Sequence, residues 1–536
     1  MGSTLVLDGR RFTLADARAV LAGEVAKLGL SPAAWKRVKR ARGVVDAVLA
    51  RGDSVYGVNT GFGKFQSVAI PPASLGALQV NLLRSHAAGV GPPLSSRIVR
   101  LILALRANTL ARGHSGVSPA VLRLLLRLYE KRVYPVIPSQ GSVGASGDLA
   151  PLSHLALVLI GEGRAIASDG SLEILPGDAA LERAGLKPVT LRPKDALGLI
   201  NGTQVTNAIG LEALVRAHEL VRTADVAAAM SHEALRASVR PFLPEVHEVR
   251  PHPGQAAVAA NMRRLLRGSR VPASHRRPHG KVQDAYSIRC VPQVHGAARD
   301  ALVHALEVAL REANSTTDNP LVFPGEKYEI VSAGNFHAEP LALAFDYAAM
   351  AAAEIASISE RRTESLVNPD LSGGLPAFLA AEPGLESGCM LVQVTAASLV
   401  SENKVLCHPA SVDSIPTSGG QEDHVSMGTH AARKFGQVVS NAEQVLACEL
   451  YSASRALQYL GDLRPGKGVM AAWDAVRRIA PIERGDRSSS TQLRVLATLV
   501  GTGWLAGEVE RAAGPLAGLV PAKAPRRRTA GRKTKA

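Results

Sequence analysis

Apolar residues recur at helical spacing through most of this chain. Ile98, Ile102 and Leu105 fall on one face of a helix expected from Leu94 onward, and a second apolar stripe runs from Val121 to Leu128. Pro135 and Pro138 are expected to end it, because proline removes a backbone N–H and clashes with the preceding turn. Further on, the same period is sustained over about 203–231, 297–313, 338–361, 390–405 and 424–460. Helices of this length need partners along their length, which predicts a bundle. The stretch "EPLALAFDYAAMAAAEIASI", with small side chains at helix spacing, suits close approach of a neighbour. The first 95 or so residues differ: short extended pieces such as "STLVLDG" alternate with helical ones and lead into "YGVNTGFGKF", where Gly57, Gly61 and Gly63 interrupt any helix. The expected fold is therefore mainly α, with a smaller mixed N-terminal region over 1–205, a long-helix bundle over 206–520 and a tail over 521–536.

Composition supports this reading. Aromatics are 4% of the chain while alanine and leucine abound, which favours helices packed through small side chains. At 536 residues the chain exceeds the size at which one core keeps growing, so several cores or one long multi-helix body are expected. The net charge of +16 would suggest nucleic acid if it formed a stripe, but Lys523, Arg526, Arg527, Arg528, Arg532, Lys533 and Lys535 supply seven of the charges from the last fourteen residues. Such a tail cannot bury apolar area and is expected to be disordered and solvated. Cys290, Cys389, Cys407 and Cys448 lie far apart with no C-x-x-C pair, so neither a metal site nor a disulfide framework is indicated, and a reducing cytoplasm fits. No signal core and no apolar run of spanning length is apparent, so no membrane is expected. The N-x-[ST] matches at Asn201 and Asn314 are then chance hits.

Polar, glycine-rich loops separate the helices: "LINGTQ", "VQDAYSIRCVPQ", "NSTTDNP", "AGNFHAEP" and "TSGGQEDH". In a helical protein such loops are where positioned chemistry resides. The stretch "GSVGASGDLAPLSH" is the most unusual. Its second half reads as a helix start, with Ser146 or Asp148 as N-cap and Ala150-Pro151 in the first turn. That leaves Gly144, Ala145, Ser146 and Gly147 unexplained, and the lysine and spacing of a phosphate-binding loop are missing. The backbone itself offers an answer. If the Gly147 amide nitrogen attacks the Ala145 carbonyl, a five-membered ring closes; loss of water there and from Ser146 leaves an exocyclic methylidene on an imidazolone. Gly147 permits the approach that a Cβ would obstruct, Ser146 supplies the hydroxyl to eliminate, and Ala145 adds little bulk.

"GSVGASGDLAPLSHLALVLIGEG" resembles the signature of the aromatic amino acid ammonia-lyases, whose methylideneimidazolone (MIO) group forms from Ala-Ser-Gly. In order along residues 5–510, "YGVNTGFG", "LINGTQ", "VQDAYSIRC", "AGNFHAEP", "SERRTESLVNP", "LVQVTAASLVSENK" and "HPASVDSIPTSGGQEDHVSMG" match as well. Within the family they are most similar to the histidine-specific branch. The resemblance implies the ammonia-lyase/fumarase-like long-helix fold, loss of ammonia from L-histidine to give trans-urocanate, an MIO built from Ala145, Ser146 and Gly147 with no external cofactor or metal, and a homotetramer whose sites draw loops from three subunits.

The same resemblance implies the site residues. Tyr56 corresponds to the base that removes the β-proton, a positioned transfer typically contributing about 10²–10⁴-fold. Asn201 corresponds to the donor facing the MIO ring oxygen, Gln283 and Tyr286 to residues lining the MIO and amino acid, and Arg289 to the planar fork for the carboxylate. Ser85-His86 stands where phenylalanine and tyrosine lyases carry other pairs and would face the imidazole; Glu422 resembles the carboxylate facing the imidazole or the departing amine, and Phe336 the ring shielding the MIO. Taken alone, most of these residues would be turn, surface or packing positions.

The chain departs from the pattern where Gly419-Gly420 replaces the usual Ala-Asn before "QED". Two glycines are expected to loosen that loop, with lower activity or broader specificity as the consequence. "GDRSSSTQL" is less proline-rich and acidic than usual. The nearest competing expectation is an MIO lyase or aminomutase acting on tyrosine, phenylalanine or another arylalanine, against which Ser85-His86 and Glu422 argue. A basic nucleic-acid-binding helical protein is the reading of a different class, and it rests on charge alone.

Overall fold

A computed structural model describes residues 2–167, 173–271 and 283–519; the basic tail at 521–536 lies outside the described residues. The N-terminal extended piece forms strand β1 (Ser3–Leu7), which pairs in parallel with β2 (Val25–Leu30). Helices α1 (Leu75–His86), α2 (Ser96–Ala111), α3 (Pro119–Glu130), α4 (Leu149–Leu159) and α5 (Asp195–Ile200) follow, with short two- and three-stranded sheets between them. The stripe ending at Leu128 stops at Glu130, ahead of both prolines, because the chain turns through Arg132 at φ 54°. Pro135 and Pro138 instead lie in the short strands Val133–Pro135 and Pro138–Gln140.

The centre of the bundle is formed by α6 (Gln204–Ala234), α7 (Tyr286–Arg289), α8 (Val291–Ala313), α9 (Glu339–Val367), α10 (Met390–Leu406) and α11 (Gly428–Leu457), with shorter helices such as Pro253–Leu265 and Ser490–Thr502 packed on them. The "VQDAYSIRC" stretch, expected as a loop, contains the single turn α7, which runs through Cys290 into α8. Helices α6, α8, α9 and α11 pack lengthwise, and α10 lies against α9 and α11. Close approach has a specific cause where Gly210 of α6 faces Phe345 of α9: any Cβ at Gly210 would occupy the position of the Phe345 ring. Phe345 in turn stacks on Phe435 of α11, ring centroids 6.1 Å apart. Truncating such a buried ring costs about 3–5 kcal/mol. Helix α9 is long and apolar enough to cross a membrane by length and composition, but 67% of that apolar window is buried inside the bundle.

One continuous apolar cluster runs from Leu7 to Leu519, and a small second one gathers Ala41, Val44, Val45, Val58 and Val322. The large cluster encloses a satisfied polar knot. Glu449 of α11 accepts from Arg362 Nε at 2.6 Å and Nη2 at 2.8 Å, from Ser359 Oγ at 2.6 Å and from Ser231 Oγ at 2.7 Å. These bonds join α6, α9 and α11. Because an unpaired charge at such depth costs several kcal/mol, sliding any one of the three helices out of this arrangement is strongly opposed.

Candidate active site

Residues 141–148 cross the point where the N-termini of α6, α9 and α11 converge. Each helix fixes a different part of this loop: Met427 N donates to the Val143 carbonyl at 2.8 Å, Ala338 N to the Gly144 carbonyl at 3.1 Å, and Val205 and Thr206 N to Asp148 Oδ2 at 2.9 and 2.8 Å. Asp148 does occupy the N-cap position of α4, as its sequence suggests, but its side chain makes no cap bond to that helix. It reaches instead to α6, and also accepts from the hydroxyls of Thr206 at 2.7 Å, Thr429 at 2.9 Å and Ser142 at 3.0 Å. Burial pushes the Asp148 carboxyl above its ordinary pKa, and these donors oppose the rise. Its role as the knot between the loop and two bundle helices was not legible from the sequence.

The tripeptide Ala145-Ser146-Gly147 lies against the Asn201-Gly202 turn. Gly147 has φ 75° and forms a parallel bridge with Gly202. Asn201 Nδ2 donates to the Ser146 carbonyl at 2.8 Å, while Asn201 Oδ1 is buried without a partner. The turn is held from behind by the fully buried Arg106, whose Nη1 donates to the Asn201 carbonyl at 3.0 Å and to Gln204 Oε1 at 2.5 Å. Burial lowers the Arg106 pKa to about 10, with Asp318 and Asp148 opposing.

Above the tripeptide is a cavity of about 540 Å³ lined by Tyr56, His86, Ala145, Ser146, Asn201, Phe336 and Glu422 among others. Ser146 Oγ donates to Glu422 Oε1 at 2.5 Å. The other carboxylate oxygen, Oε2, accepts from Thr417 Oγ1 at 2.6 Å and Ser418 Oγ at 2.9 Å. Thr417 and Glu422 also exchange backbone hydrogen bonds of 2.9 and 3.3 Å. Between them Ser418, Gly419 and Gly420 all have positive φ, at 52°, 66° and 83°. The two glycines therefore supply left-handed backbone that closes this turn.

Tyr56 meets Phe62 edge-on, centroids 6.5 Å apart. Burial raises the Tyr56 phenol above its ordinary 10; a hydrogen bond from the Gly63 backbone opposes the rise, and the Glu422 charge adds to it. Burial lowers the His86 pKa, with the Leu82 carbonyl and Glu422 opposing. His337 and His424, parallel at 5.8 Å, also line the cavity and were not singled out in the sequence.

Five of the sequence-derived positions are not among its lining residues: Gly147, which lies against Gly202, and Ser85, Gln283, Tyr286 and Arg289. Ser85 is exposed on the last turn of α1, its hydroxyl beside His86. Gln283, Tyr286 and Arg289 lie at the chain's surface or near it, and Tyr286 is 70% exposed. Arg289 lies over the Tyr286 ring at 4.5 Å, and its Nε is buried without a partner.

The residues present fit an MIO. A Cβ at Gly147 would meet the Gly202 backbone, three helix N-termini hold the residues flanking the tripeptide, and Asn201 donates to the Ser146 carbonyl. Comparison with known proteins agrees. A bacterial relative from Anaeromyxobacter sp. (strain K), "Histidine ammonia-lyase", is 54% identical over 507 residues, covering 94% of this chain and 99% of that protein. The crystal structure of histidine ammonia-lyase from Trypanosoma cruzi superposes with a TM-score of 0.89 at 43% identity, covering 97% and 98% of the two chains. Tyrosine aminomutase from Streptomyces globisporus superposes with a TM-score of 0.91 at 35% identity, covering 96% and 100%. The aromatic amino acid lyase pattern matches residues 12–478, and with such relatives along nearly its whole length the chain belongs to the aromatic amino acid lyase family.

Proposed function

We propose that this protein removes ammonia from L-histidine without oxidation, giving trans-urocanate, at the cavity over Ala145-Ser146-Gly147. The observation that carries the substrate is the pairing of His86 and Glu422 as polar walls of that cavity. Such walls hydrogen-bond an imidazole and are left unpaired by a phenyl ring, a penalty that makes polar sites reject apolar analogues strongly. The relatives named histidine ammonia-lyase support the same substrate.

When formed, the MIO supplies an electrophilic carbon that draws electrons from the substrate amine and makes it a better leaving group. The chain's own residues do the rest. Asn201 donates toward the Ser146 carbonyl, the oxygen where negative charge would gather. Tyr56 takes the β-proton. Its phenol is raised by burial in the isolated chain, so a cation brought close to it would favour the phenolate that this task needs. Phe336 and Phe62 line the cavity and exclude water from it.

Arg289 is the fork for the substrate carboxylate, and Gln283 and Tyr286 line the MIO and the bound amino acid. Their position away from the cavity of their own chain supports a homotetramer in which another copy delivers them. Leu343, Tyr347 and Met350 on α9 and Leu391, Val394 and Val405 on α10 are large exposed apolar side chains consistent with such packing.

Two measurements test the proposal together. The intact mass should be lower than the sequence mass by two waters, and adding L-histidine should produce urocanate absorbance that tyrosine and phenylalanine do not replace. Full retention of both oxygens, or turnover of an arylalanine in preference to histidine, would overturn it.

A further inference from the structure

His86 closes α1 and lines the cavity, whereas its neighbour Ser85 is not among the lining residues. Ser85 Oγ lies 2.9 Å from His86 Nδ1 and donates to the Leu82 carbonyl at 3.1 Å. A serine hydroxyl has one proton to give, and a carbonyl can only accept. With that proton on Leu82, the Ser85 oxygen can bond Nδ1 only by accepting from it. The Leu82 carbonyl also faces the His86 ring and favours a proton on it. Burial opposes a second ring proton, so the remaining nitrogen, Nε2, keeps its lone pair.

We infer that Ser85 is a positioning residue that fixes His86 as the Nδ1–H tautomer, so that Nε2 accepts a hydrogen bond from a ring N–H of the substrate. This rests on the histidine reading above and deepens it. A second polar group of the cavity lining has the same character. Glu422 Oε2 is occupied by Thr417 and Ser418, and the partner of Oε1 is the Ser146 hydroxyl, which is lost when the MIO forms. With Nε2 accepting, the cavity selects heteroaromatic side chains that carry an N–H donor, and the freed Glu422 Oε1 is a further acceptor in its lining. A ring nitrogen offering only a lone pair would face the Nε2 lone pair and leave both unsatisfied.

The test compares wild type, Ser85→Ala and Ser85→Thr on L-histidine and on L-3-(2-thiazolyl)alanine, whose ring nitrogen bears no proton, with intact mass confirming the MIO in each protein. Ser85→Ala should raise KM for histidine more than it lowers kcat. It should also reduce the preference for histidine over thiazolylalanine by roughly 3- to 10-fold, the worth of one neutral hydrogen bond. Ser85→Thr, which keeps the hydroxyl, should restore the wild-type preference. An unchanged preference in Ser85→Ala, or equal losses in the Ala and Thr variants, would overturn the inference while leaving the histidine reading standing. Wild-type protein that forms the MIO and ignores histidine would instead overturn that reading and this inference with it.

Discussion

Gly147 and Gly202 lie so close that a Cβ built on Gly147 would come within 2.5 Å of the Gly202 backbone nitrogen. Backbone cannot yield as a flexible side chain does, and at φ 75° an L-residue is already disfavoured by about 1–2 kcal/mol. Gly147→Ala is therefore expected to displace the nitrogen that must attack the Ala145 carbonyl. The intact mass of the variant should retain both waters, with no histidine turnover, in protein that still melts cooperatively. A variant carrying a complete MIO would show that this contact does not control ring closure.

The turn that carries Glu422 gives a second expectation. Gly420 has φ 83° and nothing within 4 Å of where a Cβ would sit, so the conformation rather than a clash decides what fits. Asparagine visits the left-handed region far more readily than alanine. Gly420→Asn should therefore leave kcat/KM for histidine within about twofold, while Gly420→Ala, strained by about 1–2 kcal/mol, should lower it several-fold as Glu422 shifts. Steady-state kinetics of the two variants side by side decide the matter; equal behaviour would mean that the turn does not position Glu422.

The chain's helical periods located the bundle because α6, α8, α9, α10 and α11 bury apolar faces along their whole length, and that burial is written in residue spacing. Their ends were less legible: α8 begins at Val291, ahead of the expected 297, because Pro292 in its first turn extends the helix where a proline elsewhere would stop it. Tyr56, His86, Ser146, Asn201, Phe336 and Glu422, scattered over the sequence, are gathered into one cavity, and only the family motifs could anticipate that grouping. Asp148 and Arg106 were missed for a physical reason. Each acts by bonding backbone far away in sequence, Asp148 to α6 and Arg106 to the Asn201 turn, and no local pattern encodes a partner chosen by tertiary packing. That the turn from Ser418 to Gly420 uses left-handed backbone was not legible, because glycine signals permission for that conformation, not whether the fold uses it.

Tyr56 lines the cavity while Arg289 lies outside it in the same chain, which makes their roles separable between copies. Tyr56→Phe should lower turnover by about 10²–10⁴-fold with the MIO intact. Arg289→Ala should raise KM for histidine sharply, since the carboxylate loses its bidentate partner. If another copy supplies Arg289, unfolding and co-refolding the two impaired proteins should restore part of the wild-type activity at histidine concentrations well below the Arg289→Ala KM, because some mixed sites then hold both native residues. Mixed refolding that restores nothing, with mixed oligomers verified by mass, would place both residues in a single chain's site.

Glu233 offers a pH test of stability away from the cavity. It is buried, and its Oε2 accepts from Gly466 N at 2.9 Å, at the N-terminus of the helix Lys467–Ile479. Burial pushes its pKa from the ordinary 4.5 up to about 7, with hydrogen bonds from Ser269 and Gly466 opposing. A folded pKa above the unfolded one means that the folded chain binds the proton more tightly. That contribution to stability is complete below pH 4.5 and is lost as pH rises through 7. Glu233→Gln removes the charge but keeps an oxygen for Gly466 N. The variant should melt at a higher temperature than wild type at pH 8.5, a gain of at most roughly 3 kcal/mol, and the difference should shrink toward zero near pH 5. Thermal unfolding at the two pH values measures it, and a variant less stable than wild type at pH 8.5 would mean that the carboxylate is held there by its helix N-terminus more strongly than burial opposes it.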